Sequence, residues 1–329
     1  MTNLPFSCRS FLFAGICLCL LLSGFTNGAH AMSAKTTRST TLAGGSEESP
    51  FAVRLNAGVL NGKSRELVYD ETNGAKVSEL IWTIEDVPII GLSGSVALPY
   101  DMTLSVGGWT QVSTPGASME DYDWDSSIHP TDWAYFSYSP TTLERGEMLD
   151  ANLAVPLFGM ENLNLSGLVG FRMDHWKWTD FGGYYIYSSN PGFRDRTGTF
   201  ADETGIIYEQ WLYAPYLGLQ FEYNLDQVTF SGRVAGSRWG WAKDKDQHED
   251  RGMVFRDYFY NITYLTYGGE VTVHLDDAWS LSMNVDAQQY YRTKGDTNIE
   301  GTLNVNRIDN GAGIEHTSWM TGLSLEYRF

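Results

Sequence analysis

Cysteine is almost absent from this sequence. The chain of 329 residues has three cysteines, Cys8, Cys17 and Cys19, and all of them stand in its first nineteen positions. A disulfide framework or a cysteine-ligated metal is therefore excluded for the rest of the chain. Long hydrophobic runs are also lacking after this first stretch, and the mean hydropathy of −0.26 excludes a bundle of membrane-spanning helices.

Residues 1–31 have the features of a secretory signal peptide. Arg9 precedes an apolar run at 11–22, and Ala29, His30 and Ala31 form a small-x-small cleavage site. An anchoring helix is the alternative, but the run is shorter than the about 20 residues that a membrane span requires. The sequence therefore predicts a signal peptide at 1–31, a polar lead-in at 32–50 and a folded domain at 51–329.

Positive charge is scarce. The chain has 22 Lys and Arg against 40 Asp and Glu, which gives a net charge of −18. Since Arg9 is the charged residue of the signal segment, the net charge becomes −19 once that segment is removed. This balance disfavours nucleic acid and anionic membrane surfaces as partners and favours a basic partner. Aromatic residues are abundant, at 14% of the chain, and such residues are enriched at membrane interfaces.

Apolar and polar residues alternate along much of the chain. From Trp279 to Ala287 every odd-numbered residue is apolar and every even-numbered one is polar, and the stretch that ends in Phe329 repeats this pattern. Such alternation indicates β-strands with two different faces. A soluble β-sandwich alternates in the same way, so the pattern leaves both architectures open.

The connections between the alternating stretches favour a barrel. Four short polar links, LPYDMT, FGMENLN, YNLDQV and HLDDAW, alternate with five long excursions at about residues 62–76, 112–146, 180–206, 243–257 and 292–311. This spacing predicts an all-β fold: a transmembrane antiparallel barrel of about ten strands, with short periplasmic turns and long external loops. A porin is disfavoured, because a barrel of this size is closer to those filled by side chains.

Two groups of acidic residues stand in the predicted external loops. WAKDKDQHEDRG has Asp244, Asp246 and His248 at a spacing of two, and these share one face if the preceding strand continues. SMEDYDWDSS has Asp121, Asp123 and Asp125 at the same spacing. A carboxylate–imidazole pair opposite a carboxylate pair could hold a water for attack on a carbonyl, with His248 as general base and Asp246 orienting it.

Three other interpretations of these residues stay open at this point. The charges could be ordinary solvated groups in acidic loops. DKDQHED could form a calcium loop, although Glu249 stands where an EF-hand needs glycine. His248 and neighbouring carboxylates could bind zinc, although the chain has no HExxH motif.

From about residue 53 to Phe329 the chain resembles the omptin family of outer-membrane aspartate/histidine proteases. The segments that carry the resemblance are LNGKSRELVYD, VSELIWTIEDVPII, GGWTQV, DYDWDSS, GGYYIYSSNPGFRD, APYLGL, DKDQHEDRG and NGAGIE. The resemblance implies a ten-stranded barrel that rises above the outer membrane of a Gram-negative bacterium. It also implies an endopeptidase site that faces the exterior, in a protein that acts as a monomer.

The resemblance assigns roles by position. It implies a catalytic set of Asp121, Asp123, Asp246 and His248, and an acidic pocket for the substrate residue before the scissile bond at Glu66 and Asp244. The implied activity is cleavage of polypeptides beside Arg or Lys, preferably between two basic residues, without a metal or cofactor. DYDWDSS is one residue shorter than its family counterpart, and Asp123 matches when the gap falls after Trp124. The alternative is a catalytically silent adhesin or receptor that binds basic ligands, which would not require His248.

The resemblance also implies lipopolysaccharide as an activating lipid. In the family it is bound by arginines on the outer barrel face, and this chain has His175 and Trp211 at those positions. Arg172 and Lys177 stand nearby and could replace the contacts. We therefore expect a weaker dependence on lipopolysaccharide than is usual in the family, or one that strengthens in mild acid, where imidazole is charged.

Overall fold

The computed structural model describes residues 51–114, 116–301 and 305–329. The predicted signal peptide at 1–31 and lead-in at 32–50 lie outside the described residues. The described chain forms thirteen strands: β1 (Phe51–Tyr69), β2 (Lys76–Leu98), β3 (Met102–Gln111), β4 (Gly116–Asp123), β5 (Tyr135–Gly159), β6 (Leu163–Asp180), β7 (Tyr184–Tyr187), β8 (Arg196–Thr199), β9 (Ile206–Leu225), β10 (Val228–His248), β11 (Met253–His274), β12 (Trp279–Glu300) and β13 (Val305–Arg328). A short 3-10 turn, Pro99–Asp101, joins β2 to β3. In these ranges no helix is long and apolar enough to cross a membrane.

Antiparallel pairing closes the sheet into a barrel. From β1 the neighbours are β2, β3, β5, β6, β9, β10, β11, β12 and β13, and β13 pairs with β1 again. β3 and β4 occupy one position in this ring, because each pairs with β2 on one side and β5 on the other. The predicted all-β barrel of about ten strands is confirmed, with one strand divided into two pieces. β7 and β8 form a hairpin that extends the sheet at the start of β5, where β7 pairs with residues 135–138.

The two ends of the barrel differ as predicted. The four short links connect β2 to β3, β5 to β6, β9 to β10 and β11 to β12, all at one end. Phe51 and Phe329 meet at this end, where the Phe329 amide donates to the Phe51 carbonyl at 3.1 Å. The long strand ends and the β7–β8 hairpin lie at the opposite end, which is the external one in an outer-membrane barrel.

Around the short-turn end, the barrel is apolar outside and polar inside. On β12, Leu281 points outward with 42% of its surface exposed, whereas Ser282 points inward at 1%. Trp279, Tyr327 and Phe329 form an aromatic edge, with ring centroids 4.7 and 4.9 Å apart. Apolar outward residues with aromatics at the edge suit a lipid environment, and the predicted alternation is confirmed.

Charged side chains fill the interior of this part. Arg54 binds Glu270 and Glu326 at 2.7 and 2.8 Å, and Arg233 binds Asp286 at 2.8 Å. Buried charges are tolerated when they are paired in this way. The lumen of this part is therefore occupied by side chains, which argues against the porin interpretation.

The predicted long external loops are largely strand, which corrects the sequence-based interpretation. A membrane strand needs about 9–11 residues, but β1 has 19 and β5 has 25. The strands continue beyond the apolar band because their backbone groups go on pairing with their neighbours instead of with water. Irregular connections at the external end shrink to short stretches such as 70–75, 124–134 and 249–252. The candidate catalytic residues consequently lie on strands and not in loops.

A layer of aromatic side chains crosses the barrel just beneath these strand ends. Trp82, Trp178 and Tyr208 are fully buried, and Tyr208 stacks on Trp82 with ring centroids at 5.3 Å and on Trp178 at 6.0 Å. Trp176 stacks on His316 at 5.1 Å. Stacked rings of this kind are rigid and exclude water. They form a floor on which the polar residues of the external mouth rest.

Candidate active site

The β10 motif forms one wall of the mouth. Asp244, Asp246 and His248 all point inward because β10 continues as a strand to His248, so the predicted shared face is confirmed. His248 Nε2 lies 2.6 Å from Asp246 Oδ2, and Asp246 is almost completely buried. With the proton on Nε2, the ring donates to Asp246 and leaves the Nδ1 lone pair free to accept a proton. Gly252 completes the tight turn to β11 with a positive φ of 57° that favours glycine.

The β4 motif forms a second wall. Asp121 and Asp123 point inward from β4, whose pairing with β2 is unbroken up to Ser78 and Asp123. Ser78 Oγ donates to Asp121 Oδ1 at 3.4 Å. Asp125 does not join them, since it lies beyond the strand and accepts from the amide of Ser127. A one-residue gap after Trp124 therefore falls in the connecting loop and leaves the position of Asp123 intact.

The two walls are close enough for their charges to interact. Burial and the charge of Asp123 raise the pKa of Asp121 well above its ordinary value, and the charge of Asp246 raises it further. Burial also raises the pKa of Asp123, while the positive charges of Arg251 and His248 partly oppose this. Two carboxyls that share a site cannot easily both ionise. The Asp121–Asp123 pair therefore holds a proton more tightly than an isolated carboxyl.

The acidic pocket, Glu66 and Asp244, lies deeper in the same mouth. Both residues are only 4% exposed. Tyr208 donates its hydroxyl to Asp244 Oδ2 at 2.9 Å, but Glu66 Oε2 and Asp244 Oδ1 have no hydrogen-bond donor among the described residues. Burial and the charges of Asp246 and Asp244 raise the pKa of Glu66 well above its ordinary value. Buried carboxyl oxygens without donors can accept bonds from an incoming cation.

A third carboxyl in this pocket was missed by sequence reasoning. Asp257 lies directly opposite Asp244 in the β10–β11 register and is equally buried, at 4% exposure. The two stand at equal sequence distances from the turn at 249–252. If residues 249–252 are taken as a hairpin turn, the sequence alone pairs Asp244 with Asp257. The acidic composition of the motif predicts a long loop instead, and a loop does not define which residues face each other.

The calcium-loop interpretation is wrong. Residues 244–248 are strand, so their side chains alternate between opposite faces and cannot surround one ion. Over the ranges 51–114, 116–301 and 305–329, no group of three or more His, Cys, Asp or Glu side chains is arranged to hold a metal ion.

Three of the four residues assigned to lipid binding lie on the outer face. His175 stacks on Trp211 with ring centroids at 5.0 Å. Its Nδ1 and Nε2 lie 3.1 Å from Glu147 and 2.8 Å from Glu209, so both ring nitrogens face carboxylates. Lys177 Nζ is 2.5 Å from Glu144. This patch therefore carries acidic groups beside the nitrogens of His175 and Lys177, while Lys243 Nζ lies 4.6 Å from the centroid of the Trp211 ring.

The assignment of Arg172 to lipid binding is wrong. Arg172 is 4% exposed and binds Asp174 at 2.8 Å inside the barrel. Strand alternation puts it on the face opposite to His175. Trp176 and Trp178 share that inner face and belong to the aromatic floor.

A closed antiparallel barrel with an apolar outer band, short turns at one end and long strand ends at the other defines an outer-membrane β-barrel protein. The sequence pattern of the Omptin family matches residues 47–329. The chain belongs to the omptin family, as its resemblance predicted, and it is a protease of the Gram-negative outer membrane.

Individual relatives are similar over nearly the whole folded part. Outer membrane protease OmpP of Escherichia coli (strain K12) is 33% identical over 296 residues, which cover 85% of this chain and 90% of that protein. The plasminogen activator of Yersinia pestis is 29% identical, over 85% of this chain and 89% of its own. The crystal structure of outer membrane protease OmpT from Escherichia coli matches with a TM-score of 0.81 at 28% identity, over 87% of this chain and 99% of that one.

Proposed function

We propose that this protease is an endopeptidase that cleaves polypeptides beside basic residues, with a water activated between the Asp246–His248 and Asp121–Asp123 pairs. The observation that carries the proposal is the His248 Nε2 to Asp246 Oδ2 contact of 2.6 Å, in a mouth where Asp246 and His248 interact with the charges of the Asp121–Asp123 pair. His248 is held by the buried carboxylate of Asp246 and can act as a base, and the Asp121–Asp123 pair holds a proton and can act as an acid. These two groups together suit general acid–base chemistry.

In the proposed reaction, His248 Nδ1 accepts a proton from the water as its oxygen attacks the scissile carbonyl carbon. Asp246 fixes the ring through Nε2 and stabilises the imidazolium that forms. The Asp121–Asp123 pair accepts the second hydrogen bond of the water, and its retained proton can be donated to the carbonyl oxygen as negative charge develops there. When the C–N bond breaks, the imidazolium returns its proton to the leaving amine. As the carbonyl re-forms, one hydroxyl of the intermediate returns a proton to the Asp121–Asp123 pair.

The acidic pocket supports the proposed preference for basic residues. Glu66 and Asp244 present buried oxygens without donors, and a lysine or arginine side chain brings donors and a positive charge together. An uncharged side chain would leave these oxygens unsatisfied, which costs free energy.

A peptide with an Arg-Arg pair tests the function when it is compared with a peptide in which both arginines are citrulline, a neutral residue of almost the same shape. Purified protein in detergent should cleave the first peptide between or beside its arginines and leave the second largely intact, as mass spectrometry of the fragments will show. Binding of the Arg-Arg peptide without any cleavage would favour the silent receptor and contradict the proposal.

We expect cleavage to require no metal ion, because the proposed water is polarised by carboxylates and imidazole. Treatment with EDTA, followed by removal of the chelator, should leave the initial rate within about twofold. The assay is run in detergent so that divalent ions cannot act through lipid packing. Loss of activity that zinc alone restores would assign the chain to the metallopeptidases.

We propose that lipopolysaccharide activates this protease weakly. A lipid phosphate at the His175–Trp211 patch would meet Glu147 and Glu209, and repulsion between like charges opposes charge-assisted bonds. Adding lipopolysaccharide to delipidated protein at about pH 7.5 should raise the cleavage rate by less than about tenfold. An absolute requirement for lipopolysaccharide would contradict this.

A further inference from the structure

The acidic pocket has more carboxyls than one basic side chain can neutralise. Glu66, Asp244 and Asp257 reach it from β1, β10 and β11, and each is 4% exposed. Each also has a buried carboxyl oxygen without a hydrogen-bond donor among the described residues: Glu66 Oε2, Asp244 Oδ1 and Asp257 Oδ1. A lysine or arginine brings one positive charge, so two of the three carboxyls must hold a proton or remain uncompensated.

Asp244 and Asp257 are placed to share such a proton. They are direct partners across the β10–β11 ladder, and both carboxyl groups are buried. When both carboxylates are ionised, neither has a hydrogen to donate to the other. The two Oδ1 atoms then have no hydrogen-bond partner. A hydrogen bond between the two carboxyls would therefore require one proton that belongs to the pair.

The groups that face Asp257 come from four neighbouring strands. Asp244 and Asp246 lie on β10, Tyr208 on β9, Glu66 on β1 and Thr297 on β12. Burial, with a smaller contribution from the charge of Asp246, raises the pKa of Asp257 to about 7, while Thr297 opposes the rise. Burial and the charge of Asp257 raise the pKa of Asp244 well above its ordinary value.

We propose that Asp257 is a third recognition acid of this pocket, that it shares a proton with Asp244 while the pocket is empty, and that binding of a basic side chain releases this proton to solvent. The inference rests on the proposed cleavage beside basic residues. Its consequence is that the substrate competes with a proton, so acid weakens recognition without a change in the catalytic pairs.

Steady-state kinetics with the Arg-Arg peptide between pH 6 and pH 8 test this inference. For the wild-type protein, KM should fall about tenfold over this range, since one proton with a pKa of about 7 must leave before the cation binds. In Asp257→Asn the KM should change less than about twofold, so that the ratio of the two KM values changes with pH. Effects of pH on the catalytic pairs are common to both proteins and cancel in this ratio.

Asp250→Asn is the matched control, because it removes an exposed acid from the neighbouring turn. It should keep the wild-type dependence of KM on pH. A purely structural role of Asp257 would change kcat or KM by the same factor at every pH, and that result would overturn the inference. Cleavage with a pH-independent KM ratio defeats this inference alone, whereas failure to cleave any basic peptide defeats the proposed function and the inference together.

A direct proton count needs no variant and covers the case in which Asp257→Asn does not fold. Wild-type protein is mixed in weakly buffered indicator solution with an Arg-Arg peptide whose scissile bond is N-methylated. About three-quarters of a proton per bound peptide should appear at about pH 6.5, because a group with a pKa of about 7 is protonated to that extent there. Binding without proton release would overturn the inference.

Discussion

Replacing His248 with alanine should reduce peptide cleavage by a factor of about 10² to 10⁴ or more while the barrel stays folded. A positioned general base typically contributes this much to the rate. The side chain lies above the aromatic floor and contacts Asp246 at 2.6 Å, so its loss removes the proton acceptor without opening the packed interior. The measurement is kcat/KM for the Arg-Arg peptide, together with the heat-dependent gel mobility that reports a folded barrel.

His274→Ala is the matched control, because His274 lies at the short-turn end and bonds Thr229 and Ser280. It should cleave at the wild-type rate. Binding of the peptide should survive in His248→Ala, since the acidic pocket is unchanged. A folded His248→Ala protein that cleaves within about threefold of wild type would show that the residue is not the base.

Changing Glu66 to Gln together with Asp244 to Asn should remove the preference for basic residues. Loss of a buried charge partner costs about 2–5 kcal/mol, which corresponds to at least a roughly 30-fold fall in kcat/KM for the Arg-Arg peptide. Cleavage of the citrulline peptide should change by less than about threefold, because it has no charge to lose. The ratio of the two values is the quantity to measure.

The double change Glu71→Gln and Asp250→Asn removes the same charge from exposed positions at the same end of the barrel. It should leave the preference for arginine intact, since exposed charges are screened by water and salt. An unchanged preference in the Glu66 and Asp244 variant would show that basic side chains are recognised elsewhere.

Local patterns were enough to predict the barrel and the inward face of its motif. Side chains alternate with a period of two in any strand, so the odd-numbered apolar residues from Trp279 onward and the shared face of Asp244, Asp246 and His248 could be inferred without a partner strand. The short links predicted the strand number, because a tight turn forces neighbouring strands to be antiparallel. Roles for Glu66 and Asp123 came from family resemblance, which compares positions and not geometry.

Other features depend on pairing between distant segments. How far a strand extends beyond the apolar band depends on whether its neighbours extend as well. The acidic stretch of β10 has the composition of a loop, but it pairs with β9 and β11 and is therefore a strand. Asp257 joins Asp244 through the β10–β11 register, and Asp121 meets Asp246 through closure of the barrel. Burial then turns ordinary exposed acids into carboxyls that hold protons. Composition and spacing therefore specified the strands and one face of the motif. Strand register and burial brought the carboxyls together and set their charge, and only the tertiary structure decides these two properties, because they depend on segments that are far apart in the chain.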